Sequence, residues 1–244
     1  MQTFECASCQ RECRTYARSP RCVCGKQMTA KEAALTRAAP ADVNEWPAPD
    51  KFDIVTVTHD SRNRSQAIDL FDAIGNYGEL PFEFWSEDNR RNRMTYAAAC
   101  NAGAARGTAP VIGFINPDTL IEGPFMRTVA EVFKTERTTV ITGERFGKPD
   151  TQVREWGLFD WVCGAAFFVR RGWFDYVKGF DERYIWSWEE TDACRAAERS
   201  GFVVRSLMLP MRHESPATDN ARDLAFKKSG FEVGRNLYER KWPH

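Results

Sequence analysis

Phe52–Thr58 has the sequence FDIVTVT, which is rich in β-branched residues and almost continuously apolar. Strands that are buried on both faces of a parallel sheet have this composition, so the segment predicts a central β-strand. Further apolar segments predict strands at 81–86, 111–115 and 138–142. The segments between them predict helices around 68–74, 96–105 and 125–134. This alternation is typical of an open α/β sheet, in which ligands bind beyond the carboxyl ends of the strands.

The composition is that of a folded protein without an excess of either charge. The 244 residues are 43% hydrophobic, which is enough to bury a core and excludes wholesale disorder. Lys and Arg number 34, as do Asp and Glu, which excludes a polyanion binder that works by bulk positive charge. The N-terminus lacks the pattern of a signal peptide, and no apolar run approaches the ~20 residues of a membrane-spanning helix. We therefore expect a soluble protein of the cytoplasm.

The cysteines are concentrated at the N-terminus, where five of the eight lie within the first 24 residues. Two close pairs can each offer two thiolates to one ion, which predicts a tetrahedral Zn²⁺ site in a zinc ribbon spanning residues 1–28. The predicted zinc ligands are Cys6, Cys9, Cys22 and Cys24. Cys13 could replace one of these ligands. A pair of disulfides is the alternative, which the absence of an export signal disfavours.

Residues 29–50 are expected to connect the ribbon to a second domain. Thr29 is the predicted N-cap of a short, Ala-rich helix over residues 29–39. Three prolines between positions 40 and 49 then predict a linker. The α/β domain would occupy residues 51–244.

Acidic side chains stand at the ends of two predicted strands and in a later cluster. Asp88 follows the second strand and Asp118 follows the third. Asp is common at strand ends as a cap or turn residue, so each is a weak signal by itself. The run Glu189-Glu190-Thr191-Asp192 suits catalysis and equally suits a helix N-terminus, whose dipole favours acids. His213 follows a late apolar strand and is either structural or a metal ligand.

These residues belong to an ordered series of short motifs. In chain order the motifs are Val57-Thr58-His59-Asp60-Ser61, Glu87-Asp88-Asn89, Asn101-Ala102-Gly103, Asn116-Pro117-Asp118, Gly164-Ala165, Gly179-Phe180-Asp181-Glu182, Glu189-Glu190-Thr191-Asp192 and His213. In order and approximate spacing, the chain resembles the family 2 glycosyltransferases of GT-A fold, particularly their rhamnosyltransferase-like branch. The resemblance extends from about Phe52 to His213 and leaves out the cysteine-rich segment.

The resemblance implies an α/β fold of GT-A (Rossmann-like) type, with a mixed sheet flanked by helices, and a hexosyltransferase-type enzyme. It implies an inverting single displacement, without a covalent enzyme intermediate, from a UDP-, dTDP- or GDP-sugar donor to a hydroxyl acceptor. The donor-binding residues that it implies are Thr58, Asp60, Asp88, Asn101, Asn116 and Asp118.

The chemistry of sugar transfer gives several of these residues a physical role. The donor leaves as a diphosphate, and Asp118 with His213 would hold Mn²⁺ or Mg²⁺ to stabilise its charge. The acceptor hydroxyl must lose its proton as it attacks, and Glu190 is the predicted general base. The family usually has Asp at this position, so Asp192 is the alternative base. The residues predicted to face the acceptor are Trp186, Trp188 and Glu189.

The sequence leaves the acceptor open. A glycan, a lipid-linked sugar, a protein or a hydroxymethylated nucleic-acid base would each supply a hydroxyl, the last as in bacteriophage DNA modification. A second hypothesis is a zinc-ribbon module that binds nucleic acid or a partner, with an α/β domain that binds a nucleotide without catalysis. A third hypothesis, a nucleotidyltransferase, lacks a Gly-rich phosphate loop with a lysine to support it.

Overall fold

The computed structural model divides the chain into two compact units, Met1–Ala39 and Pro40–His244. The residues that it describes are 2–5, 12–15, 29–30, 46–59, 61–89, 94–148, 155–158, 160–214 and 221–243. Asp60 and the four predicted zinc ligands lie outside these ranges. Within them, no helix is both long enough and apolar enough to cross a bilayer.

The N-terminal unit contains a small antiparallel sheet. Its strands are β1 (Gln2–Glu5), β2 (Glu12–Thr15) and β3 (Thr29–Ala30), in the order β2-β1-β3. The structure differs from the prediction at Thr29, which pairs with Glu5 of β1 instead of capping a helix. This pairing joins segments that are distant in the chain, and local helix propensity does not anticipate such pairings.

The second unit is built from strands that alternate with helices. The strands are β4 (Phe52–Thr58), β5 (Phe82–Asp88), β6 (Val111–Ile115), β7 (Thr119–Ile121), β8 (Thr139–Glu144), β9 (Ala166–Arg170), β10 (Val203–Leu207) and β11 (Met211–His213). The helices are α1 (Ser61–Tyr77), α2 (Tyr96–Ala104), α3 (Met126–Thr135), α4 (Arg171–Val177), α5 (Glu189–Arg199) and α6 (Ala221–Lys241). The four strands predicted from apolar segments are β4, β5, β6 and β8.

Six strands form one mixed sheet in the order β10-β8-β9-β6-β4-β5. β9 runs antiparallel to both of its neighbours, whereas the other neighbouring pairs are parallel. The carboxyl ends of five strands and the amino end of β9 therefore lie along one edge of the sheet. β7 and β11 form a separate antiparallel pair. The predicted α/β fold, a mixed sheet flanked by helices, is confirmed.

Helices cover both faces of the sheet because its central strands are apolar on both faces. In β4, Phe52 and Ile54 pack in a core with residues of α1 and α3. Val55 and Val57 pack in a second core with residues of α2, α4 and α5. Each fully buried side chain of this size contributes about 1.5–3 kcal/mol to the free energy of unfolding. The two cores hold the sheet between layers of helices and so fix the position of its edges.

A buried ion pair ties together the edge of the sheet opposite the strand carboxyl ends. Asp53 in β4 is fully buried, and its Oδ2 accepts hydrogen bonds from Arg171 Nη2 and Ala109 N, each at 2.7 Å. Arg171, at the start of α4, also donates to the carbonyl oxygens of Ala104 and Ala109. The pair therefore joins β4 to α4 and to the loop that precedes β6.

We expect Asp53→Ala to lower the free energy of unfolding by about 3–5 kcal/mol, because it leaves the Arg171 guanidinium unpaired in a nearly dry site. The matched control is Glu131→Ala, which removes one partner of the exposed Glu131–Lys134 pair and should cost about 0–1 kcal/mol. Urea unfolding followed by circular dichroism measures both changes. Equally small changes in the two variants would show that the buried pair does not stabilise the sheet.

Candidate active site

The loops that follow the strand carboxyl ends bring distant motifs together. Parallel pairing places Thr58, the last residue of β4, opposite Asp88, the last residue of β5. On the other side of β4, β6 ends at Ile115, which lies opposite Ala166 at the start of β9. The motifs after residues 58, 88 and 115 therefore share the edge at which open α/β sheets bind ligands.

Asp118 and His213 form a pair at this edge. Asp118 immediately precedes β7, and His213 ends β11, where antiparallel pairing places it opposite Thr119. His213 Nε2 lies 3.1 Å from Asp118 Oδ1, and the two side chains are 27% and 20% exposed. A carboxylate oxygen and an imidazole nitrogen thus converge where solvent reaches them. This donor set suits a divalent cation such as Mn²⁺ when water or substrate oxygens complete its coordination.

Three other residues predicted to bind the donor lie at or next to the carboxyl ends of the strands at this edge. Asp88 Oδ2 accepts a hydrogen bond from Arg64 Nη2 at 2.7 Å, and the carboxylate is partly exposed. Asn116 Oδ1 accepts a hydrogen bond from Tyr96 OH at 2.7 Å. Thr58 is buried, and its hydroxyl donates to a backbone carbonyl of β5. Asp88 is therefore the member of this set with a charged group at the surface of the edge.

Asn101, another residue predicted to bind the donor, is hydrogen-bonded to a neighbouring loop. Its Oδ1 accepts a hydrogen bond from Phe180 N, and its Nδ2 donates to Phe180 O, both at 2.9 Å. Nδ2 also lies 3.2 Å from Glu182 Oε1. A Cβ at Gly179 would lie 2.5 Å from Asn101 Oδ1, so a glycine is needed for this close approach. The amide of Asn101 therefore holds the loop at 179–182, and donor binding by Asn101 stays a prediction.

The acidic motif begins α5 directly after a left-handed turn. Ser187 and Trp188 have φ angles of 65° and 78°, a backbone conformation that costs energy in residues with side chains. Packing holds the turn in place, since Trp188 is buried and its ring stacks on Tyr238. The turn sets Glu189 and Glu190 in the first turn of α5, where backbone N–H groups and the helix dipole favour carboxylates.

Glu190 packs against the sheet edge next to the loop that carries Asp118. A Cβ at Gly164 would lie 3.5 Å from Glu190 Cδ. The carbonyl oxygen of the next residue, Ala165, accepts hydrogen bonds at 3.0 Å from the two residues that flank Pro117–Asp118. The Asp118 turn is thus bonded to one residue of the Gly164–Ala165 pair, and Glu190 packs on the other.

Burial controls the protonation of the two glutamates. Both are less than a tenth exposed, and Oε2 of each has no hydrogen-bond partner among the described residues. Burial, reinforced by the charge of Glu190, raises the pKa of Glu189 well above its ordinary value. Burial also raises the pKa of Glu190, but the charge of Lys148 and backbone N–H groups of the turn oppose that rise. The two carboxyls therefore titrate as a pair, in which Lys148 and the N–H groups of the turn favour the ionised form of Glu190.

A cleft of about 360 Å³ opens beside Glu190. This volume lies within the range of about 300–1,000 Å³ that is common for small-molecule sites. Its lining includes Lys148, Trp156, Trp188, Glu190, Phe231 and Arg235. The cleft therefore combines aromatic rings with a buried carboxyl, and α6 supplies one of its walls.

The two tryptophans predicted to face the acceptor occupy different places. Trp188 lines the cleft, although its ring is largely buried. Trp186 lies near the end of β4, with its ring 6.0 Å from that of His59. Lys227 Nζ, from α6, lies 5.2 Å from the centre of the Trp186 ring. Trp186 thus fills the space between the end of β4 and α6.

Asp192 is enclosed by hydrogen bonds. Its Oδ1 accepts from Tyr184 OH at 3.0 Å and from Trp242 Nε1 at 2.8 Å, and its Oδ2 accepts from Lys241 Nζ at 2.8 Å. The residue is 5% exposed and is not part of the cleft lining. Of the two predicted bases, Glu190 is therefore the one that lines the cleft.

The residues that α6 and the loop after β8 contribute to the cleft were not predicted from the sequence. Lys148 follows β8, and Phe231, Arg235 and Glu239 lie on α6. The spacing of four residues in the α6 set places its members on one face of a helix, and this periodicity was visible in the sequence. What the sequence did not indicate was that this face packs beside the acidic motif.

No protein-family model and no curated protein matches the chain. Among solved structures, the chain is similar to TarS from S. aureus, with 12% identity, a TM-score of 0.53, and coverage of 78% of this chain and 39% of TarS. It is also similar to the mannosyltransferase PcManGT from Pyrobaculum calidifontis in complex with GDP-Man and Mn²⁺ (13% identity, TM-score 0.47, coverage 66% and 55%). A third is a Drosophila β-1,4-galactosyltransferase 7 mutant in complex with manganese, UDP-Gal and xylobiose (11% identity, TM-score 0.49, coverage 73% and 79%).

The likeness to TarS is one of fold. It extends over most of the α/β unit, whose mixed sheet with helices on both faces fits the GT-A fold. The α/β unit therefore has the GT-A fold that the motif series implied. The match spans well under half of TarS, and the rhamnosyltransferase-like branch stays a prediction.

Proposed function

We propose that the protein is an inverting, metal-dependent glycosyltransferase of the cytoplasm, which moves a hexosyl group from a nucleotide sugar to a saccharide hydroxyl. One observation carries the proposal: at one sheet edge, the turn of Asp118, which is paired with His213, is bonded to Ala165, and the buried Glu190 packs on the adjacent Gly164. A single displacement needs a site for the leaving diphosphate and, across the reacting carbon, a base for the acceptor.

Glu190 is the proposed general base. The acceptor oxygen bonds to the anomeric carbon as the bond from that carbon to the diphosphate oxygen breaks, and the acceptor proton moves to the Glu190 carboxylate. Glu190 lines the cleft, and its Oε2 has no hydrogen-bond partner among the described residues, so other hydrogen bonds do not saturate the carboxylate. Attack on the face opposite the leaving group inverts the anomeric configuration, through a transition state that resembles an oxocarbenium ion.

Asp118 and His213 are the proposed metal ligands. Their donor atoms are partly exposed and 3.1 Å apart, and a carboxylate with an imidazole fits Mn²⁺ or Mg²⁺. When bound, the cation would neutralise the charge of the departing diphosphate. Asp88, which accepts a hydrogen bond from Arg64 at the end of β5, is the proposed partner of the nucleoside.

A saccharide is the acceptor that the cleft favours. Trp156 and Phe231 offer aromatic surface, on which the apolar face of a sugar ring can pack. Arg235 donates to Glu239 Oε1 at 2.8 Å, so the wall formed by α6 carries no net charge from this pair. A nucleic acid would need an excess of positive charge to bind its phosphates. The net charge of zero and the paired wall therefore favour an uncharged acceptor over a modified base in DNA.

Product stereochemistry tests the proposal. UDP-, dTDP- and GDP-sugars of α configuration would be incubated with the protein and Mn²⁺, and the product would be followed by proton NMR. We expect β-configured sugar to appear first, whether water or a glycoside is the acceptor. Release of the α anomer at early times would contradict inversion.

We also propose that Cys6, Cys9, Cys22 and Cys24 bind a structural Zn²⁺, which the spacing of the two pairs supports. Metal analysis of the purified protein should give about one zinc per chain. The double variant Cys6→Ser/Cys9→Ser should lose it, because two of the four thiolates are removed. Cys163→Ser, at a buried cysteine of the α/β unit, is the matched control and should retain zinc. Folded wild-type protein that contains no zinc would end this proposal.

A further inference from the structure

The C-terminal helix α6 forms one wall of the cleft. Phe231, Arg235 and Glu239 lie four residues apart along α6 and all line the cleft. Glu190, the proposed base, faces the same cleft from the start of α5. The position of α6 relative to α5 therefore determines the width of the space that an acceptor would enter beside the base.

A cluster of polar contacts joins the end of α6 to α5. Lys241 Nζ donates to Asp192 Oδ2 at 2.8 Å and lies 3.2 Å from Asp181 Oδ2. Trp242 Nε1 and Tyr184 OH both donate to Asp192 Oδ1. Asp192 thus gathers three donors from two separate segments, and hydrogen bonds to a charged group of this kind are stronger than neutral ones.

Close packing sets the register of α6 on the turn that precedes α5. A Cβ at Gly230 would lie 2.6 Å from Trp186 Cβ, and one at Gly234 would lie 2.7 Å from Trp188 Cδ1. The two glycines are one helical turn apart, so α6 approaches the left-handed turn closely at both. Together with the contacts of Asp192, this packing fixes α6 at its middle and at its end.

We propose that Asp192 is a positioning residue that latches α6 across the acidic motif and so builds the acceptor-binding wall of the cleft. This inference rests on the proposed function, which assigns the cleft as the acceptor site. The specificity for the acceptor then resides in the α6 residues Phe231 and Arg235. Asp192 itself touches neither the cleft nor the proposed reacting atoms.

The latch has a structural test that needs no substrate. Hydrogen–deuterium exchange of the full chain would compare the wild type with Asp192→Asn, Lys241→Met and the double variant. We expect amides of residues 225–241 to exchange at least tenfold faster in each single variant, with no further gain in the double variant. Lys228→Met, at an exposed lysine of the same helix, is the matched control and should exchange like the wild type. Wild-type exchange of α6 in Asp192→Asn would overturn the latch.

A kinetic test distinguishes a positioning role of Asp192 from a role as the general base. Transfer from the accepted donor to a panel of p-nitrophenyl glycosides would be measured with Mn²⁺ in the same variants. We expect Asp192→Asn and Lys241→Met to raise the KM for the glycoside by a similar factor, at least tenfold, with kcat lowered much less. A loss of 100-fold or more in kcat for Asp192→Asn, with Lys241→Met near wild type, would identify Asp192 as the base and overturn the proposal.

The two tests distinguish failure of the latch from failure of the proposed function. If α6 exchanged faster in the variants but the protein used no nucleotide sugar, the role of Asp192 would be supported and the glycosyltransferase function would be rejected. Normal exchange of α6 in variants of an active transferase would reject the latch and keep the enzyme.

Discussion

Glu190→Gln should lower sugar transfer by about 10²–10⁴-fold, which is the usual contribution of a general base. Gln keeps the shape and the polar contacts of the side chain but cannot take the proton of the acceptor hydroxyl. Binding of the nucleotide sugar should be unchanged, because Glu190 lines the cleft and is not one of the residues proposed to bind the cation or the nucleoside. Steady-state transfer and calorimetric titration of the donor measure the two effects.

The pH dependence gives a second signature of the same residue. The base acts in its ionised form, so the wild-type rate should rise as pH rises through the pKa of Glu190. Because burial raises that pKa, the rise should lie above pH 4.5, the ordinary value for a glutamate. The residual activity of Glu190→Gln should not show this rise with pH. Glu198→Gln is the matched control, since Glu198 lies on the same helix and is bonded to Arg195. This variant should keep the wild-type rate of transfer and its rise with pH. Full activity in Glu190→Gln would move the base elsewhere.

Asp118→Ala should abolish metal-dependent use of the donor, with a loss of at least about 100-fold in donor turnover, equivalent to roughly 2.7 kcal/mol or more of transition-state stabilisation. The variant removes the carboxylate oxygen proposed to bind the cation and leaves His213 alone at the site. Donor turnover and Mn²⁺ titration, each at several metal concentrations, are the measurements. High concentrations of Mn²⁺ should restore little activity, because a single imidazole does not hold the ion with the diphosphate.

The control for this variant is Glu122→Ala, at an exposed ion pair with Arg212 close to the same two-stranded sheet. It should leave the metal dependence as in the wild type. If Asp118→Ala retained the full Mn²⁺ response, the cation would have to bind elsewhere, and the assignment of the Asp118–His213 pair would be wrong.

The parts of this fold that the sequence predicted are those with a local signal. β4 and β6 are short, apolar and β-branched, and such runs indicate buried strands whatever their partners are. The meeting of Asp118 with His213 was also anticipated, although they are 95 residues apart, because the ordered motif series implies a known topology. Their pairing through β7 and β11 then follows from the fold.

The parts that the sequence did not predict depend on long-range packing. Asn101 holds the loop at Phe180, and the hydrogen bonds of Asp192 come from Tyr184 and from the end of α6. An amide or carboxylate has the same local sequence signature whether it binds a ligand or another part of the chain. Such side chains are assigned only when their partners are known.

The central claim is that this chain consumes a nucleotide sugar with the help of a divalent cation. The most direct test incubates the wild-type protein with a panel of UDP-, dTDP- and GDP-sugars, with Mn²⁺, with Mg²⁺ or with EDTA, and measures the nucleoside diphosphate released. We expect at least one donor to be consumed when a metal ion is present and to remain intact in EDTA. If every donor in the panel survived under all three conditions, the glycosyltransferase assignment would be contradicted, and a nucleotide-binding module without catalysis would take its place.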